Sequence, residues 1–149
     1  MTKLSNLNYG SEAPTFQLPD QYGEIVQLTD LGGQFVLLDF ISSQCGPCFF
    51  DLKRLQEVQQ NISDSLTIVL VVTDGNIIET IARLGEDYKG FMILNLDNNI
   101  LMLENYQVKT YPAYVLINPD GTIAMAPAPP PNENLGHFIE GFITRYKRK

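Results

Sequence analysis

The sequence predicts a single α/β domain with a central mixed β-sheet flanked by helices and an N-terminal β-hairpin extension. Three observations lead there. Two apolar runs, Phe35–Ile41 and the β-branched Leu66–Val72, read as buried strands, the second covered on both faces as in a sheet flanked by helices. Each is followed by a segment with apolar residues at helical spacing. The only two cysteines of the chain fall together, as Cys45-Gly46-Pro47-Cys48, where the first run gives way to its helix.

Taken in order, Phe16-Gln17-Leu18 and Ile25-Val26-Gln27-Leu28 alternate apolar and polar residues around Asp20-Gln21-Tyr22-Gly23, a hairpin signal. Asp30-Leu31-Gly32-Gly33 is a turn, and the strand Phe35–Phe40 comes next. From Pro47 to about Asn61 a helix is expected. Cys48, Leu52, Leu55 and Val58 or Ile62 line its inner face, with Lys53, Arg54 and Glu57 outward. Pro47 suits the first turn, where a backbone N–H has no intrahelical use. Phe49 and Phe50 are expected in the core, since an early helix turn must pack on the sheet. The strand Leu66–Val72 ends at Thr73-Asp74-Gly75, and a helix over Ile77–Leu84 follows. A short strand at Phe91–Leu94 and a helical turn from Leu101 to Tyr106 come next. Tyr114–Ile117 and Thr122–Met125 flank the turn Asn118-Pro119-Asp120-Gly121. Four of the nine prolines (Pro127, Pro129, Pro130 and Pro131) predict a stiff extended connector to a last helix, Glu133–Tyr146. The order β-β-β-α-β-α-β-α-β-β-α fits one domain over residues 1–149, with residues 1–12 as a flexible N-terminal segment and 13–146 as the folded core.

At 149 residues and 44% hydrophobic content the chain has material for a real core, and its net charge of −7 argues against a nucleic-acid partner. Arg145, Lys147, Arg148 and Lys149 crowd the C-terminus, where they complement the negative pole of the final helix. No stretch approaches the roughly 20 apolar residues of a membrane span. Met1–Gly10 lacks the basic and apolar regions of a secretion signal, which fits a cytoplasmic protein and a processed or excised exported domain equally.

Two thiols separated by two residues can close a small disulfide ring, and a helix N-terminus stabilises the thiolate of the first. The pair therefore reads as a reversible two-electron switch. Half of a zinc site has the same spacing, but the chain has no further cysteine and a single histidine, the distant His137. His137 reads as an ordinary surface or half-buried histidine. No metal and no cofactor are expected.

The cysteine motif, together with Ala13-Pro14-Thr15-Phe16, Leu38-Asp39-Phe40, Val108-Lys109-Thr110-Tyr111-Pro112 and Tyr114–Gly121, resembles a thioredoxin-fold family. The nearest branch is that of the TlpA/ResA-like thiol–disulfide oxidoreductases, related to AhpC/TSA proteins. The resemblance implies a cis bond before Pro112, with Tyr111 and Pro112, beside Gly46 and Pro47, facing the substrate chain. It implies that Asp39 is the buried carboxylate that takes the proton of Cys48. It further implies a disulfide-containing protein as substrate and an upstream thiol protein as electron donor. The Gly-Pro dipeptide is that of reducing thioredoxins. The setting it implies is extracytoplasmic and bacterial, periplasmic or membrane-tethered, and the chain is expected to act as a monomer.

Departures from the thioredoxin pattern are informative. Gln44 replaces the usual tryptophan before the first cysteine, Ile41 stands at another usually aromatic site, and no lysine on Leu66–Val72 pairs with Asp39. An acid in the inserted region sometimes assists this family, and Glu79, Glu86 and Asp87 are all eligible. Two alternatives compete with disulfide exchange. A thiol peroxidase of the peroxiredoxin type could use Ser42 as its hydroxyl, but Leu38 stands where that chemistry needs a proline. A metal-binding or adaptor module would need no second cysteine or would need further donors.

Overall fold

A computed structural model describes residues 7–50, 52–96, 100–125 and 135–147, apart from the side chains of residues 87–89. The proline-rich connector falls outside these residues. The strands are β1 (Gln17–Pro19), β2 (Ile25–Gln27), β3 (Phe35–Ile41), β4 (Leu66–Val72), β5 (Met92–Asn95), β6 (Ala113–Ile117) and β7 (Ile123–Met125). The helices are α1 (Leu52–Asn61), α2 (Ile77–Leu84), α3 (Leu101–Asn105) and α4 (Leu135–Lys147). Short 3₁₀ turns cover Leu28–Leu31, Pro47–Phe49 and Gly85–Gly90.

β1 and β2 form a separate antiparallel hairpin, and the main sheet runs β5-β4-β3-β6-β7. β3, β4 and β5 are mutually parallel, while β6 pairs antiparallel with β3 and β7 with β6. Every residue of β3 is buried, so the absence of alternation in Phe35–Ile41 has its cause: both faces of the strand are covered. Val36, Leu38 and Phe40 join a cluster with the hairpin residues Phe16, Leu18 and Val26 and with Met102 of α3. Phe35, Leu37 and Ile41 join the opposite cluster, with Cys48, Leu52 and Leu55 on one side and Ile139 and Ile143 of α4 on the other.

Lys53, Arg54 and Glu57 are exposed while Leu52, Leu55 and Val58 are buried, as the helical spacing requires. The hairpin is pinned to the sheet by a bridge between Asp20 and Leu94, and by the Tyr106 hydroxyl, which donates to the Pro14 carbonyl. The Tyr106 ring meets Phe16 and Phe40 edge to face, and its burial pushes the phenol well above its ordinary pKa.

Two expectations need revision. Residues 7–12, read as part of a flexible segment, are held against β7. Leu7 is buried, the Gly10 N–H donates to the Ile123 carbonyl at 2.9 Å, and Glu12 bridges Thr122. Phe50, read as core, is 78% exposed. It lies two positions from both buried Cys48 and buried Leu52, and a step of two residues on a helical path turns a side chain to the opposite face. Phe49 is half-buried against the cluster around Cys48.

Candidate active site

β3 delivers the chain to the edge of the core at Ile41, and Ser42–Gly46 make the loop that enters the Pro47–Phe49 turn. Cys45 and Cys48 are joined as a disulfide, with their Cα atoms 5.4 Å apart. Their environments differ. Cys48 is 2% exposed and packed in the cluster under α1, whereas Cys45 is half-buried. The Cys48 N–H points at the Cys45 sulfur, at 3.2 Å. A free backbone donor at a helix start is the group that stabilises negative charge on that sulfur.

Asp39 is fully buried in the middle of β3, and alternation along the strand places it on the face shared by Leu37, Ile41 and Cys48. Its parallel neighbour on β4 is Leu70, so the lysine of ordinary thioredoxins has an apolar replacement. On the other side Asp39 stands directly opposite Tyr114 of β6, itself 2% exposed. Directly opposed antiparallel residues project to the same face with Cβ atoms about 5 Å apart. The register thus sets Tyr114 next to Asp39 on one face of the sheet, a pairing invisible without knowing which residues of β3 and β6 align.

The Tyr111–Pro112 bond is cis. Ala113 pairs with Phe40, so Pro112 sits at the end of β6 level with Ile41, the same edge of the sheet from which the cysteine loop departs. Tyr111 is 39% exposed there, Gly46 is half-buried and Pro47 is exposed.

The loop before Cys45 is fixed by residues that sequence reasoning passed over. The Ser43 hydroxyl donates to Asp74 at 2.6 Å, and the Ser42 hydroxyl reaches the same carboxylate at 3.4 Å. Partial burial pushes the Asp74 carboxyl upward, but the hydrogen bonds from Ser43 and from the backbone outweigh it and hold the group below its ordinary pKa. Arg83 of α2 donates to the Ser43 carbonyl at 2.8 Å and reaches the Cys45 carbonyl at 3.4 Å, with its guanidinium 4.0 Å from the centre of the Phe49 ring. The inserted segment does approach the site, but through a cation. Glu79 and Glu86 are exposed, and the side chain of Asp87 lies outside the described ones. His137 is exposed on α4, and among the described residues no group of three or more His, Cys, Asp or Glu is placed to hold a metal ion.

Ser42, the candidate peroxidase hydroxyl, accepts the Gln44 N–H and faces Asp74, while Leu38 is buried in the cluster on the far side of the sheet from Cys48. Neither residue forms a peroxide pocket around Cys45.

A parallel β-α-β core, an antiparallel β6-β7 extension and a disulfide at the strand-to-helix turn define a thioredoxin-fold redox protein. The sequence profile of the AhpC/TSA family matches residues 9–126, and the chain belongs to that family. Thiol-disulfide oxidoreductase ResA of Bacillus subtilis strain 168 is 26% identical over 138 residues, 93% of this chain and 77% of the relative. Among solved structures, the thioredoxin domain of a thiol-disulfide oxidoreductase from Bacteroides vulgatus superposes with a TM-score of 0.78 at 29% identity, covering 93% of this chain and 99% of that one. An exposed lipoprotein thioredoxin of Streptococcus pneumoniae gives 0.73 at 25% identity, covering 89% and 99%.

Proposed function

We propose that this thiol–disulfide oxidoreductase works as a reductant of protein disulfides outside the cytoplasm, as a single chain, with Cys45 attacking and Cys48 resolving. The carrying observation is the asymmetry of the pair: a half-buried Cys45 with an N–H aimed at its sulfur, and a Cys48 sealed beneath it. In the reduced protein the Cys45 thiolate attacks one sulfur of a substrate disulfide. A Cys45–substrate disulfide forms and the other substrate sulfur leaves as a thiolate. Cys48 then gives up its proton and attacks the Cys45 sulfur, closing the 45–48 disulfide and releasing the second substrate thiol. Two electrons pass from protein to substrate, and an upstream dithiol protein returns them. Asp39, buried on the Cys48 face, is positioned to take the Cys48 proton. The substrate chain lies along the edge lined by exposed Tyr111 and Pro47 and half-buried Pro112 and Gly46. The extracytoplasmic setting draws support from likeness to the exposed pneumococcal lipoprotein.

Trapping tests the assignment of roles. Cys48→Ser should accumulate mixed disulfides with substrate proteins, because attack proceeds and resolution cannot. Cys45→Ser should accumulate none. Equal trapping by both variants would show that either thiol can attack, and the assignment would fall.

A further inference from the structure

We propose that Arg83 is a positioning residue of the redox site, tying the loop before Cys45 to α2 and favouring the Cys45 thiolate by its charge. The inference rests on the redox reading of the cysteine pair. One terminal nitrogen of the guanidinium serves two carbonyls of the loop, at 2.8 Å on Ser43 and 3.4 Å on Cys45 itself. That nitrogen carries two hydrogens, so both contacts can be made at once. The carbonyls take the edge of the guanidinium, and its central carbon lies 4.0 Å from the centre of the Phe49 ring. A side chain held by two carbonyls and an aromatic face is fixed, although it comes from an exposed position some forty residues along the chain.

The consequence concerns the reduced protein. A positive charge bonded to the carbonyl of Cys45 stands within several ångström of the sulfur of that same residue, and a nearby cation favours the thiolate form. The Cys48 N–H at 3.2 Å acts in the same sense. The acidic groups on the other side of the balance are Asp39, on the face of β3 against which Cys48 packs, and Asp74, joined to the loop through Ser43. Arginine is the residue suited to the task, because its planar group can donate and stack together, which a lysine ammonium does not do.

The test is the pH profile of alkylation of Cys45 by iodoacetamide, made in a Cys48→Ser background so that a single thiol titrates. Arg83→Met keeps the aliphatic stem and removes the charge. It should move the profile toward higher pH by roughly half a unit to one unit, the effect of one charge near a partly solvated sulfur. Arg83→Lys should fall between that variant and the parent. Arg83→Gln supplies a second neutral side chain should the methionine variant not fold. A neutral variant whose profile coincides with the parent's, or moves lower, would overturn the proposal. So would a lysine variant displaced as far as the neutral ones, since charge would then play no part. The readout needs no protein substrate, so its outcome is separate from whether the protein reduces disulfides.

Discussion

Cys45, Cys48, Asp39 and Tyr114 stand at different distances from water: Cys45 is half-buried and the other three are 2% exposed or less. In the proposed exchange Cys45 meets the substrate, and Cys48, at 2% exposure, meets only Cys45. A carboxylate with no exposure bears a desolvation cost that its charged form feels most, so Asp39 is expensive to the fold. Asp39→Asn removes that charge while keeping the shape. Resolution of the mixed disulfide should slow by on the order of 10²-fold, the usual loss when a general base is removed. Attack by Cys45 should be nearly intact, and the denaturant midpoint should rise. Single-turnover kinetics and unfolding curves of the two proteins check this. Unchanged resolution with lower stability would make Asp39 a structural residue and leave proton transfer to water. Asp39 was singled out in the sequence only through the resemblance of Leu38-Asp39-Phe40 to the family's central strand. Tyr114 was not, because its place opposite Asp39 depends on the register of two strands far apart in the chain.

At the level of elements, the cysteine loop is held between α1 and the β4–α2 connection. α1 is anchored through Leu55, which is fully buried between helix and sheet. Leu55→Ala should lower stability by about 2–5 kcal/mol, the cost of a buried leucine truncation, read as a shift in the denaturant midpoint. The β4–α2 turn contributes a pH-dependent hold through Asp74. Its pKa is lower in the folded chain than in the unfolded one, so its contribution is complete above the ordinary carboxylate range. As pH falls through the folded value, that contribution disappears. Asp74→Asn should therefore be less stable than the parent at neutral pH, and the gap should close in strong acid. A gap that persists at low pH would mean that the charge of Asp74 is irrelevant to the loop. The helices and strands themselves were legible because periodicity and burial agree, as in α1 with Leu52, Leu55 and Val58 inward. Arg83 was hidden for the opposite reason. It is an exposed helical residue whose partners are backbone carbonyls, and backbone acceptors leave no mark on a sequence pattern.

For the whole molecule, the sheet separates two apolar clusters that do different things. One binds the hairpin and the residues from Leu7 onward to the fold, and the other carries Cys48 and supports α1 and α4. Residues 1–12 were expected to be a flexible segment. Backbone pairing of Gly10 with Ile123 and of Glu12 with Thr122 holds its described part, and main-chain pairing is indifferent to composition. The central claim is that this scaffold holds a dithiol that transfers two electrons to a protein disulfide. The most direct measurement mixes the fully reduced protein with insulin and counts thiols on both partners. The account predicts that each chain closes one Cys45–Cys48 disulfide as one insulin disulfide opens, and that Cys45→Ser opens none. A protein that leaves insulin intact while consuming hydrogen peroxide with the same two cysteines would contradict it.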